Sequence, residues 1–256
     1  MMDISLNYTP EEFYEELKKR FMGLLKEEGL YTDEVKISTK ALSPEEAIGV
    51  TKRKDFPIIT GKDIMIQASC HGVFGQAFTD APATFEGTLG EICEMDLDDP
   101  YNRGLFIASL NAVMGYLGKS TRTVHCRNNG PEMCALDAVK FVRELYGDPK
   151  IGLIGYQPSM LDNLSKEFEV RVVDLCKDNI GTNKYGVIVE DGSKEEIWKG
   201  IMDWADLVLC TGSTVCNGTI VNFLPWVNKT LFFGTTLAGA ATLMDLPRMC
   251  FADNYQ

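Results

Sequence analysis

Several features that would reveal a function at once are missing from the 256 residues of this sequence. There is no Cys-x-x-Cys pair, no apolar run as long as the ~18 residues of a membrane span, and no Gly-x-Gly-x-x-Gly fingerprint for a dinucleotide. The chain starts Met-Met-Asp-Ile-Ser without a basic region and an apolar core, so no signal peptide is predicted. A zinc ribbon, a membrane span and a conventional NAD site are therefore disfavoured.

Basic residues are also scarce. The 25 Lys and Arg residues stand against 37 Asp and Glu residues, which gives a formal net charge of −12. This balance disfavours nucleic acid and anionic membranes as partners, and it suits a cytoplasmic protein. Because no secretion signal is predicted, the eight cysteines are expected to be thiols rather than disulfides.

The N-terminal part of the sequence predicts a small α+β unit. The segment Thr9-Pro10-Glu11-Glu12 is typical of a helix start, with a capping Thr and Pro in the first turn. Apolar residues then recur at helical spacing. Strands are predicted at 35–42, 47–51 and 63–69, and a helix at 103–117.

From Lys150 onward, predicted strands and helices alternate, which indicates a parallel sheet covered on both faces. The fold class is therefore α/β, with a small α+β domain followed by a Rossmann-like domain. The predicted strands are 150–156, 170–175, 206–210, 230–233 and 248–252, and the predicted helices are 132–146, 159–168, 193–205, 217–227 and 238–246.

Two strand ends in this part are rich in small polar residues. Small residues let a ligand approach the backbone, which is how open α/β sheets build ligand sites. We expect both ends to open on one crevice; the alternative is two ordinary turns in which Gly, Thr and Asn cap helices. The candidate ligand-binding residues here are Thr211, Gly212, Ser213, Asn217, Gly218, Thr219, Gly234, Thr235 and Thr236.

A third strand end, within Gly152–Pro158, adds Gly155 and Tyr156 to the candidate ligand-binding residues. Asp174 ends the next strand, about 20 residues further on, where dinucleotide folds place a ribose-binding acid. A nucleoside-like or pterin-like ligand fits this placement. The alternative is that Asp174 is a solvated acid at a strand end.

Both histidines are adjacent to cysteines, in Cys70-His71 and His125-Cys126. Neutral imidazole and thiolate are the usual ligands of soft and borderline metals. We take His125, Cys126 and Cys216 as candidate metal ligands and a transition metal ion as the candidate cofactor. The alternative is that the histidines are hydrogen-bonded structural residues.

Acidic residues in the N-terminal unit offer a different chemistry. Glu86 and Glu91 lie in a glycine-containing segment, where either could serve as acid, base or metal ligand. The alternative is a solvated loop of an acidic protein. The acids at 96–99 lack the spacing of a calcium loop.

Seven strings of the sequence carry a family resemblance: Gly75–Thr79, Phe85–Leu89, Ala108–Ala112, Gly152–Pro158, Thr211–Thr219, Gly234–Ala240 and Arg248–Cys250. Taken together, they resemble the bacterial and archaeal family known as the putative heavy-metal chelation family. The resemblance implies an enolase N-terminal-like α+β domain over residues 1–120 and a Rossmann-like domain over 121–256. It also implies a cleft between them, to which Glu86 and Asn111 are supplied as catalytic candidates.

Three functions stay open. The resemblance favours a protein that chelates a heavy metal or handles a metal-bearing cofactor. The alternatives are an enzyme of condensation or hydrolysis on a pterin-, flavin- or siderophore-like molecule, and a Rossmann-like methyltransferase using S-adenosylmethionine, by analogy of fold. In each case the expected partner is a small molecule or a metal ion. A homodimer is the commonest assembly, but no residue pattern demonstrates one, and whether the protein is an enzyme is left open.

Overall fold

The computed structural model describes residues 6–31, 36–61 and 63–255. Its first helix, α1 (Pro10–Glu27), starts as predicted because Thr9 and Glu12 form a capping box. The apolar residues that recur along α1 are buried, as their spacing predicts.

An antiparallel sheet follows, with the strand order β3-β2-β1-β4. The predicted strand at 47–51 is wrong, because Ser43 and Glu46 form a second capping box and start a helix instead. The elements of this part are β1 (Lys36–Leu42), α2 (Pro44–Ile48), β2 (Ile64–Cys70), β3 (Val73–Thr79), β4 (Phe85–Thr88), α3 (Leu89–Glu94) and α4 (Pro100–Tyr116).

The second sheet has the order β11-β10-β9-β5-β6-β8-β7. All neighbouring strands in it are parallel except β7 and β8, which form an antiparallel hairpin that the sequence pattern does not predict. Its elements are α5 (Gly130–Tyr146), β5 (Ile151–Ile154), α6 (Pro158–Leu164), β6 (Val170–Asp174), β7 (Asn183–Lys184), β8 (Val187–Asp191), α7 (Glu195–Trp204), β9 (Leu207–Thr211), α8 (Thr214–Asn217), β10 (Thr230–Phe233), α9 (Ala238–Leu243) and β11 (Arg248–Met249).

The helix predicted at 217–227 is also wrong. The short helix α8 ends at Asn217, and Gly218 follows in the left-handed conformation with φ +85°. This conformation ends a helix. Two 3₁₀ turns, Thr219–Asn222 and Leu224–Trp226, carry the chain on to β10.

Helix α4 lies at the centre of the molecule, and every residue from Gly104 to Met114 is buried. A helix that is apolar all round must be covered all round. Its neighbours are β2 and β3 on one side and α8 and α9 on the other. One hydrophobic core therefore contains residues of both sheets, among them Ile66, Phe106 and Val208.

The predicted α/β class with a parallel sheet is confirmed. The likeness of the N-terminal unit to enolase and the domain boundary at residue 120 stay predictions. Across the described ranges, every helix is too short or too polar to cross a bilayer.

Candidate functional site

The candidate site lies where the strand order changes direction. From β5, the chain continues to β6 on one side of it, and β9 pairs with its other side. The loops that leave β5 and β9 diverge, so a crevice opens at their carboxyl ends. Gly155 makes the turn with φ +89°, and a Cβ there would lie 2.6 Å from Thr211 Cγ2. The lack of a side chain at 155 lets the two strand ends lie together.

A cavity of about 490 Å³ occupies this crevice. The parallel sheet supplies one wall, and Ile48, Phe56, Ile58 and Phe78 of the N-terminal part lie opposite. The structure thus brings most of the sequence-predicted ligand-binding set to one place. The members that line the cavity are Gly155, Tyr156, Asp174, Thr211, Gly212, Ser213, Asn217, Gly234, Thr235 and Thr236.

The charge of this lining is one-sided. Its carboxylates are Asp63, Asp80 and Asp174, and among the described lining residues there is neither Lys nor Arg. His125 also lines the cavity, and burial lowers the pKa of its imidazole. The ring is therefore neutral at neutral pH. A ligand in this cavity meets negative charge on largely apolar walls.

The two polar strand ends are joined tightly. Gly212 N donates to Phe233 O at 2.8 Å. A Cβ at 212 would lie 2.9 Å from Leu237 N, so only glycine fits without a shift. Thr236 Oγ1 accepts a bond from Phe78 N at 3.0 Å, which ties the turn to β3. Thr235 is 2% exposed, and its Oγ1 has no hydrogen-bond partner within the described structure.

Asp174 is held by backbone. Its Oδ2 accepts from Tyr156 N at 2.8 Å, and its Oδ1 accepts from Cys176 N at 2.5 Å. Both carboxylate oxygens therefore already fix the turns that follow β5 and β6. This geometry gives the ribose interpretation no support, although the carboxylate still contributes its charge to the lining.

His125 has the arrangement of a potential metal ligand. Its Nδ1 lies 2.7 Å from Cys126 O. A carbonyl oxygen can only accept, so Nδ1 carries the proton of the neutral ring and Nε2 keeps a free lone pair. Metal-binding histidines commonly use one ring nitrogen in this way while the other holds the metal.

Three thiols meet on the same side of the cavity. Cys126 and Cys250 belong to one buried cluster, and Cys134 of α5 packs against this cluster. All three line the cavity. Hydrogen bonding to Cys126, together with burial, raises the pKa of the Cys134 thiol. Of these three cysteines, the sequence analysis names only Cys126 as a metal candidate, and Cys250 comes from the far end of the chain.

The third metal candidate, Cys216, lines the cavity but is not in this thiol group. Burial raises the pKa of its thiol to about 12. In the part of the chain that the structure describes, no three His, Cys, Asp or Glu side chains form a group that could hold a metal ion. The predicted set of His125, Cys126 and Cys216 is therefore not assembled.

Four candidates do not line the cavity: Glu86, Asn111, Gly218 and Thr219. Glu86 is exposed on β4. Asn111 is fully buried; its Nδ2 donates to Gln76 O and Thr236 O at 2.9 Å, and its Oδ1 accepts from Gly239 N at 2.7 Å. The structure places Asn111 as a link between β3 and the turn after β10, so the catalytic role of both residues stays a prediction without a contact in the cavity.

The remaining sequence candidates lie elsewhere. His71 is an exposed turn residue with φ +49°, and its ring stacks on Tyr116 at 4.6 Å. Glu91 caps α3 by accepting from Thr88 N at 2.7 Å. Neither residue lines the cavity.

Sequence reasoning misses the apolar cover of the cavity, the loop at 49–61. Phe56, Pro57 and Ile58 of this loop line the cavity. Arg53 anchors the loop through ion pairs with Glu132 of α5 and Asp162 of α6, the second at 2.6 Å. Arg53 stands between two lysines and gives no sequence signal for these partners, since they lie about 80 and 110 residues away.

The fold is that of an α/β protein with an open sheet, and the candidate crevice at its strand ends is lined by residues of both parts of the described chain. Residues 137–250 match the model of the family described as "Putative heavy-metal chelation", DUF364. The resemblance predicted from the sequence is confirmed over this segment, which is similar to the DUF364 family.

Solved structures of DUF364 proteins are similar to this chain. A DUF364 protein of unknown function from Pyrococcus horikoshii has a TM-score of 0.51 at 16% identity, covering 88% of this chain and 79% of that chain. Another, from Desulfitobacterium hafniense, has a TM-score of 0.45 at 12% identity, covering 71% and 72%. The first likeness shows a shared fold. No curated protein matches the chain.

Proposed function

We propose that this protein binds a small, largely apolar metal chelate of neutral or positive overall charge in the cavity at the ends of β5, β9 and β10. The observation that carries the proposal is the composition of the cavity wall, which combines apolar side chains and carboxylates and has no Lys or Arg among its described members. Such a wall favours apolar and cationic ligands over phosphates or polycarboxylates.

The family description supports a role with metals, and the lining helps to say which role. Most metal ions need at least three protein ligands, and no such group occurs in the described residues. A chelate brings its own metal ligands. The protein then needs to supply only shape, apolar contact and a few polar groups.

The polar groups are available at the strand ends. Thr235 Oγ1 lacks a partner within the described structure, and burial of an unpaired hydroxyl is costly. His125 Nε2 has a free lone pair by the argument above. Either group can bond a polar edge of the chelator or replace a weak ligand of its metal. The enzyme and methyltransferase alternatives have no comparable support, since Glu86 lies outside the cavity and Asp174 is engaged by backbone amides.

The test is native mass spectrometry with elemental analysis of protein purified without chelators. We expect an organic mass and a metal that leave the chain together on gentle activation. Ser213→Phe places a ring in the cavity and should abolish both signals, whereas Ser165→Phe, at an equally half-buried serine outside the lining, should keep them. Equal retention in the two variants would overturn the proposed site.

A further inference from the structure

The thiol group of Cys126, Cys134 and Cys250 is the strongest feature that the proposed function does not use. These residues come from the loop before α5, the first turns of α5, and the end of β11. Buried cysteines are common as small apolar residues, and that explanation suits Cys70 or Cys93, which lie in the main core. It does not explain three thiols that meet at the wall of a cavity.

Cys126 and Cys250 belong to one buried cluster, and Cys134 packs against it. Cys126 is the neighbour that most raises the pKa of the Cys134 thiol, and Cys134 in turn raises the pKa of the Cys250 thiol after burial. Cys126 is 4% exposed and Cys250 5% exposed. Both belong to a small cluster of their own with Ala252. All three cysteines also line the cavity.

A second observation comes from Arg248. Its Nη1 donates to Gly234 O at 2.8 Å and its Nη2 donates to Thr121 O at 2.8 Å. Burial and the neighbouring Arg122 lower the pKa of this guanidinium, while Cys250 and Asp253 act in the opposite direction. A half-buried cation next to a second cation favours additional negative charge beside it.

We propose that Cys126 and Cys134 form a binding site for a soft, thiophilic metal ion of the Cu(I) class, with Cys250 adjoining. A closed-shell ion of this class accepts two thiolates and needs no third protein ligand, and soft sulfur ligands select it. Zn²⁺ requires a fuller set of ligands than the described residues assemble. The site deepens the proposed function, because it names the class of metal that the cavity can receive from a chelate.

The chemistry of capture balances without a redox partner. Each of the two thiols releases its proton to water, and each sulfur forms one bond to the ion, whose oxidation state does not change. The product, a dithiolate complex of a monovalent ion, carries one negative charge. Arg248, which neighbours Cys250, is placed to balance that charge.

The experiment is an anaerobic titration of the full chain with Cu(I) alone, in competition with bicinchoninate. We expect one ion per chain and a loss of affinity of at least about 100-fold in Cys126→Ser and in Cys134→Ser, more than the loss of an outer-shell group causes. Cys93→Ser is the matched control, because Cys93 is a buried cysteine of the main core and does not line the cavity. It should bind as the parent does.

Unchanged Cu(I) affinity in the Cys126→Ser, Cys134→Ser double variant would overturn the proposal, and so would an equal loss in Cys93→Ser. Thermal melts identify any variant that fails to fold, and Cys134→Ala provides a second substitution at that position. Failure of the proposed function is distinguishable, since it is read from the organic mass retained by the unaltered protein, whereas the Cu(I) titration uses no chelate.

Discussion

At the scale of single residues, Asn111 decides how the two sheets meet. Its amide has two donors and one acceptor oxygen, and all are used by backbone groups of β3, of the turn after β10, and of α9. In the sequence analysis, the family resemblance makes Asn111 a catalytic candidate. The structure places it instead as a link between chain segments. Asn111 is 0% exposed, and its side-chain amide satisfies buried backbone groups that a leucine at this position would leave without a hydrogen bond.

The replacement Asn111→Ala should therefore destabilise the protein by about 3 kcal/mol, because each buried backbone group left unpaired costs roughly 1–3 kcal/mol. Asn102→Ala on the same helix is the control, since Asn102 makes one exposed bond to Asp96 O. It should cost less than about 1 kcal/mol. Urea unfolding of the two variants measures the difference, and equal stabilities would show that the bracket is unimportant.

Glycine gives a second prediction at this scale. A Cβ on Gly75 would lie 2.0 Å from Ala112 N and 2.5 Å from Ala108 O, so Gly75→Ala must push β3 away from α4. We expect a loss of at least about 2 kcal/mol. Gly23→Ala in α1 has nothing within 4 Å of the new methyl group and should gain up to about 1 kcal/mol. Thermal melts that fail to separate these variants would contradict the packing described for α4.

At the scale of elements, the 49–61 loop depends on its charged anchor. Burial alone would raise the pKa of Asp162, but hydrogen bonds from Lys166 and Arg53 outweigh it and hold that pKa below its ordinary value. A carboxylate with a depressed folded pKa contributes stability above its unfolded pKa of about 3.9. That contribution is lost as the pH falls through the lower folded value.

Asp162→Asn should therefore be less stable than the parent at pH 7, and the two should converge as the pH falls below about 3.9. The control is Asp203→Asn. Asp203 is exposed on α7, and among the described residues it forms no ion pair with the 49–61 loop. Unfolding curves between pH 7 and pH 3 measure the convergence. A constant difference across this range would show that Asp162 acts by something other than its charge.

Elements also show what the sequence can predict. The strands of the parallel sheet are readable because they are buried apolar runs that end in small polar residues, as at Thr211 and Gly234. The two-residue strand β7 gives no such pattern. The two wrong predictions have local causes. The capping box of Ser43 and Glu46 starts a helix where the sequence pattern predicts a strand at 47–51. The left-handed Gly218 interrupts the helix predicted at 217–227.

At the scale of the whole molecule, the cavity is a tertiary product. Its strand-end wall follows from the alternation of strands and helices, which is why Gly155, Thr211 and Thr235 are foreseeable. Its apolar cover and its thiol group are not, because Phe56, Cys134 and Cys250 meet only once both sheets are folded around α4. The absence of Lys and Arg from the described lining is likewise invisible before the fold is known.

The central claim is that the cavity selects a cationic or neutral metal chelate rather than an anionic chelate or bare Ni²⁺. Equilibrium dialysis against the Ni(II)–1,10-phenanthroline complex, the Ni(II)–EDTA complex and Ni²⁺ alone tests it directly, with Ser213→Phe and Ser165→Phe as the paired variants. We predict that only the phenanthroline complex binds one per chain, and that only Ser213→Phe abolishes this binding. Binding of Ni(II)–EDTA at equal or higher affinity, or stoichiometric binding of bare Ni²⁺ in the same cavity, would contradict the account.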